Sequence, residues 1–386
     1  MGQAYKPGSV ACVLSRLAVM LAVLSLLGCG SQPSKFVAAS PAASPSVAVT
    51  ELPPSSPPAP PPPAFGTGNP DGKASIPAEA RAEDTSSPTR VIGSGTPASC
   101  TSEEVVKAVA AGGVITFNCG PDPITITMKA TAKVRNANGP RIVLDGGGKV
   151  TLSGGGARRI LYMNTCDKAQ GWTTSHCQDQ DHPRLTVQNI AFTQGNSTGD
   201  TQEGGGAIFA RGGKLKVVNV LFNGNKCDPT GPDLGGAGIR ALSQYHGQPV
   251  YVVNSTFEDG VCSNGSGISS IGVSWVVLNS LFRNNNAIGR GANPAKAGTP
   301  GGGSGGAIYL DGNLFTLKLS GCRIENNVAN EGGGAVFFVS NDRTGTMSIE
   351  NSVLHKNPSK GFQTKGFPGI FFLGARPPTV TGSTLD

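Results

Sequence analysis

From residue 204 onward the hydrophobic and polar positions follow one template. Residues 204–225 read GGGAIFARGG, KLKVVN and VLFNGN: an aliphatic anchor among small residues, a glycine corner, an alternating segment closed by asparagine, and a large apolar residue three positions later. The anchor returns at Ile208, Ile239, Ile268, Ile308, Val336 and Ile370. The second apolar position returns at Phe192, Phe222, Phe257, Phe282, Ile324, Leu354 and Leu385. Within each copy the alternation has period two, so Leu215 and Val217 are expected inside and Lys216 outside, and Val250 and Val252 inside with Tyr251 outside. A strand-like unit repeating about every 30 residues cannot bury its apolar face alone, and it predicts a solenoid in which each turn stacks on the next.

Asn189, Asn219, Asn254, Asn279 and Asn351 share one column, with Gly321 and Gly382 replacing asparagine in two copies. Asparagine tolerates left-handed backbone at a tight corner, and stacked amides can bond rung to rung, so Asn219 and Asn254 are expected as buried ladder members. Upstream, Thr101-Ser102-Glu103-Glu104 followed by VVKAVAAGG has a hydroxyl N-cap, an acidic first turn and a stop at Gly112, which predicts a helix covering the first rung. A strand at residues 114–117 follows. The last copy stops at Leu385-Asp386 with neither polar cap nor barrel segment, which argues against an autotransporter.

Three strands per turn, an asparagine corner and the absence of helix-length apolar segments resemble the right-handed parallel β-helix of the pectate-lyase superfamily. The GGAI and FxxN strings are similar to the repeats of chlamydial polymorphic outer-membrane proteins. The resemblance covers residues 96–386 and implies an all-β solenoid with three strands per rung and an N-terminal capping helix. It carries little about activity, because a fold does not fix chemistry.

Residues 1–28 read as a signal peptide: Lys6 and Arg16 precede an 11-residue apolar run, 17–27, too short to span a bilayer. Leu26-Leu27-Gly28-Cys29 resembles the lipobox of bacterial lipoproteins, which implies lipidation of Cys29; an ordinary secretory signal is the alternative. Gly30 after the cysteine implies, by the same resemblance, the outer membrane or cell surface. Residues 29–95 are expected as a disordered tether, since 51–65 holds eight prolines in fifteen residues.

Composition narrows the partners. The chain has 56 glycines, 14% charged residues and a net charge of +7, with no run of Lys and Arg and no interleaved aromatics, so nucleic acid is a poor partner. An anionic polysaccharide or envelope polymer fits better, with a solvated basic surface as the alternative. The chain is expected as a monomer. Of nine cysteines, Cys12 and Cys29 fall in the leader region. In an oxidising compartment local spacing suggests Cys100–Cys119, Cys166–Cys177 and Cys227–Cys262, although sequence alone does not prove connectivity. Cys322 shares a column with Val220, Ser255, Ser280, Ser352 and Ser383 and is expected as a small buried thiol.

Catalytic strings are missing. The paired aspartates of β-helix polygalacturonases would fall on the glycine pairs before the anchors, at Gly204-Gly205, Gly235-Gly236, Gly305-Gly306 and Gly332-Gly333. Glu203, Asp233 and Glu331 stand just before such pairs. Glu203 and Asp233 on consecutive rungs, with Arg240 nearby, form the best constellation for a calcium-assisted β-elimination: carboxylates hold the metal and arginine takes the proton. The plainer account has these acids capping turns, with no cofactor at all. A second candidate is the excursion 166–183, CDKAQGWTTSHCQDQDHP, where Trp172 offers a stacking ring. The trace Tyr245-His246-Gly247 lacks an accompanying acidic motif.

Parity identifies a third candidate. If the anchors point inward, then Phe209, Arg240, Ser269, Tyr309, Phe337 and Phe371 point outward on one sheet. Such a stripe would stack on sugar rings and pair with carboxylates, unless loops such as 285–303 fold over it as a second small core. The expected function is therefore a membrane-anchored binding or adhesion module for an acidic polysaccharide or envelope polymer. The alternative is a polysaccharide lyase or glycoside hydrolase.

Overall fold

The computed structural model describes residues 66–386 except Asn138, Pro140 and Glu203. They form a parallel β-helix. The anchor sheet stacks eight strands, from Ala132–Lys133 and Leu161–Asn164 through Ile208–Arg211, Ile239–Leu242, Ile268–Ile271, Ile308–Gly312 and Val336–Ser340 to Ile370–Leu373. Every pairing is parallel, and the register puts Leu161, Ile208, Ile239, Ile268, Ile308, Val336 and Ile370 in one buried column. With Ala132 paired to Leu161, the period thus runs two rungs further upstream than the GGAI strings disclose.

Two further strands per rung meet at the asparagine corner. In the early rungs they run on as one strand, Arg184–Thr193 and Lys214–Asn223; later they separate, as in Val250–Val253 and Thr256–Glu258. Asn189, Asn219, Asn254, Asn279 and Asn351 all sit at positive φ, between 46° and 55°, which is the turn these residues were expected to make. Behind the corner Phe192, Phe222, Phe257 and Phe282 stack inside the barrel at 5.4, 4.5 and 4.6 Å. A short fourth segment, Val261–Cys262, Asn286–Ala287 and Val328–Ala329, adds a side that the sequence pattern does not announce.

The corner ladder is shorter than expected. Asn219 donates to Asn189 at 2.9 Å and half-buried Asn254 donates to Asn219 at 3.2 Å, but Asn279 turns its amide to the backbone of Ala74 instead. The fully interior asparagines lie at the next corner, in the FxxN strings: Asn225, Asn285, Asn327 and Asn357. Each oxygen takes a backbone N–H of the preceding rung, from Gly195, Gly260, Asn285 and Asn327 at 2.8–3.1 Å. Each amide nitrogen returns a bond to that rung's carbonyl, at Phe192, Phe257, Phe282 and Ile324. An unpartnered buried amide group is costly, and here the preceding rung satisfies both ends.

Helix Ser102–Ala111 caps the first rungs. Thr101 accepts the amide of Glu104, Gly112 ends the helix at φ 68°, and Val105, Ala108 and Val109 face the core. Strand Arg90–Ile92 precedes it and pairs with Gly113–Phe117. The domain therefore begins well before residue 96, and the expected tether boundary at 95 is corrected. Residues 66–92 form a strap across the rungs, while 29–65, Cys29 and the leader lie outside the described residues.

The strap has a physical cause in the column that precedes the corner asparagine. That column reads Gln188, Val218, Val253, Leu278, Ser320, Glu350 and Thr381 in register. Outward residues are apolar where Ala74, Ile76, Ala80 and Ala82 pack on them, and polar beyond. Gly72 lets the backbone sit this close: a Cβ there would lie 2.8 Å from both Asn279 Oδ1 and the Gly321 carbonyl.

The three expected cysteine pairs are bonded, Cys100–Cys119, Cys166–Cys177 and Cys227–Cys262. Cys322 is free and fully buried among the serines of its column, and burial pushes its thiol up to about 11, so it is no nucleophile.

Candidate functional site

Register confirms that Phe209, Arg240, Ser269, Tyr309, Phe337 and Phe371 form one outward column on the anchor sheet, extended upstream by Tyr162. Their exposure overturns the binding face. Phe209 is 1% exposed, Arg240 4%, Tyr309 0% and Phe337 3%, with only Phe371 half-buried. Loops between rungs fold over the sheet and turn the column into a second core. Arg159 lies over the rings of Tyr162 and Phe209 at 5.8 and 5.3 Å and donates to the Gly204 and Gly205 carbonyls. Tyr309 stacks on Phe337 at 4.9 Å, and Phe362 closes edge-on against Phe371 at 4.8 Å. Rings of this size are worth several kcal/mol each when removed from water, so covering loops are favoured over an open stripe.

The acidic residues near the glycine pairs serve those loops. Asp233 accepts from the Asn293 side chain at 2.6 Å. Glu331 accepts from Gly291 N and Lys296 Nζ, both at 2.8 Å. Burial alone would raise the Glu331 carboxyl; Lys296 and the Gly291 amide outweigh it and hold the group low. Glu203 lies outside the described residues. No cluster of three His, Cys, Asp or Glu able to hold a metal occurs among the described residues. Arg240 is committed to Ser269 Oγ at 2.6 Å and to the Asp233 carbonyl, and buried as it is, it reaches no substrate proton in this arrangement. Arg240 and Asp233, two members of the expected calcium and arginine-base constellation, hold loops here.

The glycine pairs leave no room for a side chain. Gly236 has φ 78°, and a Cβ there would stand 2.1 Å from the Ile239 carbonyl oxygen. No aspartate fits such a position.

One acid was missed by the sequence reading. Asp311 accepts from Tyr309 OH at 3.2 Å, from Asn293 at 3.0 Å and from Asn341 at 3.0 Å. Burial, with the charge of Asp233 adding to it, raises its carboxyl. Both aspartates share the Asn293 amide nitrogen, which keeps their oxygens closer together than the roughly 6.5–9.5 Å that an inverting glycosidase leaves for water. Nothing in the repeat marks Asp311, since it sits at the end of an ordinary anchor strand.

The excursion 166–183 is open where the anchor sheet is closed. Trp172 is 44% exposed, the one Trp, Tyr or Phe classed as exposed among the described residues. His182 lies parallel to its indole at 5.3 Å. Asp179 accepts the backbone N–H of His246 at 2.6 Å, and Ser243 donates to Gln178 at 2.9 Å. The structure thus seats the Tyr245-His246-Gly247 turn against the excursion. Asp181 bridges Arg184 and Lys214, and the Lys214 ammonium lies 5.2 Å from the Tyr245 ring. Sequence named Trp172 but gave no sign of this docking, because the two loops are separated by two rungs' length of chain.

Compared with known proteins, the chain matches no family model, no curated protein and no solved structure.

Proposed function

We propose that this chain is a lipid-anchored envelope protein, attached through Cys29 and displayed at the outer membrane or cell surface, whose monomeric β-helix binds an acidic polysaccharide or envelope polymer without cleaving it. In this reading the scaffold is related to the pectate-lyase superfamily and to the chlamydial repeats. The observation that carries binding over cleavage is the commitment of Arg240, Asp233 and Glu331 to loop closure, which leaves the sheet that would bear catalysis sealed. The chain's net charge of +7 favours anionic polymers. Incubating the mature chain with a panel of uronate polymers, with and without calcium, tests it: retention without unsaturated or reducing-end products supports the proposal, and absence of retention defeats it.

A hydrolytic reading has one observation in its favour, the raised Asp311 carboxyl beside Asp233. Asp311 and Asp233 both accept from the Asn293 amide nitrogen, and two carboxyl groups held this close are an arrangement that general acid–base chemistry uses. New reducing ends in the same incubation, abolished by Asp311→Asn, would establish it.

A further inference from the structure

We propose that Trp172 is the platform of a sugar subsite, on which a carboxylated or sulfated pyranose ring stacks with its anionic group turned toward Arg135 and Lys168. The proposal rests on the polysaccharide-binding reading and gives it a place. The protein buries the rings of Phe209, Tyr309 and Phe337, yet leaves Trp172 44% exposed at the surface of a disulfide-clipped loop. An indole left in water has a cost of about 25 cal/mol for each Å² of its apolar surface, and a ligand ring recovers it.

The platform is fixed before any ligand arrives. His182 stacks against the indole, Asp167 caps the turn before it through Ala169 N at 2.9 Å, and Gln180 Oε1 takes the amide and hydroxyl of Thr174 at 3.2 and 3.0 Å. The contacts of Gln178 and Asp179 with Ser243 and His246 hold the loop from the other side. A ring already ordered loses little entropy on binding.

A further observation points to an anion. Arg135 donates to the Ala169 carbonyl at 2.7 Å, which places a guanidinium on this loop beside exposed Lys168. Guanidinium and ammonium groups next to a stacking ring select charged sugars over neutral ones.

Tryptophan emission of the full mature chain reads the site directly, because the only other tryptophan, Trp275, is fully buried with its Nε1 donating to Ser270 and serves as an internal reference. Alginate, polygalacturonate and heparin are titrated against neutral dextran. The expected result is a change in the exposed component with at least one anionic polymer and none with dextran. Trp172→Ala should weaken that binding roughly tenfold, Trp172→Phe should restore part of it, and Arg135→Ala with Lys168→Ala should reduce it and flatten its salt dependence. If the parent binds a polymer and Trp172→Ala binds it equally well, the subsite is wrong while the binding reading stands. If the parent binds none of the polymers, both fall.

Discussion

Asn327 Oδ1 accepts two bonds from Asn285, its backbone N–H at 3.0 Å and its side-chain Nδ2 at 2.8 Å. The contact joins neighbouring rungs inside the barrel, at the corner where the FxxN strings stack. The same pair of bonds recurs from Asn327 to Asn357 Oδ1, at 3.1 and 2.9 Å, and it separates interior asparagines from those that only shape a bend.

Asn327→Leu should therefore lower stability more than Asn254→Leu. The first strips partners from buried groups on the Asn285 rung, at roughly 1–3 kcal/mol for each group left unpaired; the second removes one end of a half-buried ladder. Denaturant midpoints of the two variants check this, and equal losses would mean that the FxxN asparagines are a turn preference alone.

Gly72→Val should lift the strap. Its Cβ would press on Asn279 Oδ1 and the Gly321 carbonyl at 2.8 Å, while the solenoid core is untouched. Trypsin should then cut after Lys73 and Arg81 much faster than in the parent, with the fragment from residue 90 onward staying resistant. Unchanged cleavage rates would show that the strap tolerates displacement without opening.

The solenoid was legible because inward residues obey the repeat. Ile208, Ile239 and Ile308, like Phe222 and Phe257, stack in the register their spacing announces. What escaped was contact between segments that share no period. Parity correctly placed Phe209 and Tyr309 outward on the sheet, but outward means exposed only if nothing covers it, and covering loops have irregular sequences. The strap was hidden for the same reason, although Val218, Val253 and Leu278 at an outward position were its readable trace. Asp311 and the docking of Tyr245-His246 on the excursion depend on such loops and had no local signal.

Tyr309→Ala should cost about 3–5 kcal/mol, as expected for a large buried ring. Trp172→Ala should stay within about 0.5 kcal/mol of the parent, as expected at an exposed site. Thermal or urea unfolding distinguishes the two, and a neutral Tyr309→Ala would reopen the case for an exposed stripe.

Acid should act in opposite senses at two carboxylates. The folded state raises Asp311, so its favourable contribution is complete below the ordinary 3.8 and is lost as pH rises through the higher folded value. Glu83 in the strap is held low: burial would raise it, but Lys216 and Arg141 outweigh burial. Its contribution is present above 4.5 and is lost as pH falls through the depressed value. In urea titrations across this range Asp311→Asn should gain on the parent as pH rises, and Glu83→Gln should lose its deficit as pH falls. Parallel profiles for parent and both variants would contradict these assignments.

The anchor-sheet aromatics form a sealed second core, and the recognition site proposed above lies on the excursion at Trp172. Hydroxyl-radical footprinting of the mature chain, free and with an anionic polymer that it retains, measures both halves at once. Rapid oxidation of Trp172 in the free chain, protection of Trp172 by the polymer, and little oxidation of Tyr309 and Phe337 in either state are expected. Rapid oxidation of Tyr309 and Phe337 in the free chain, with protection there and none at Trp172 when polymer is added, would contradict both halves.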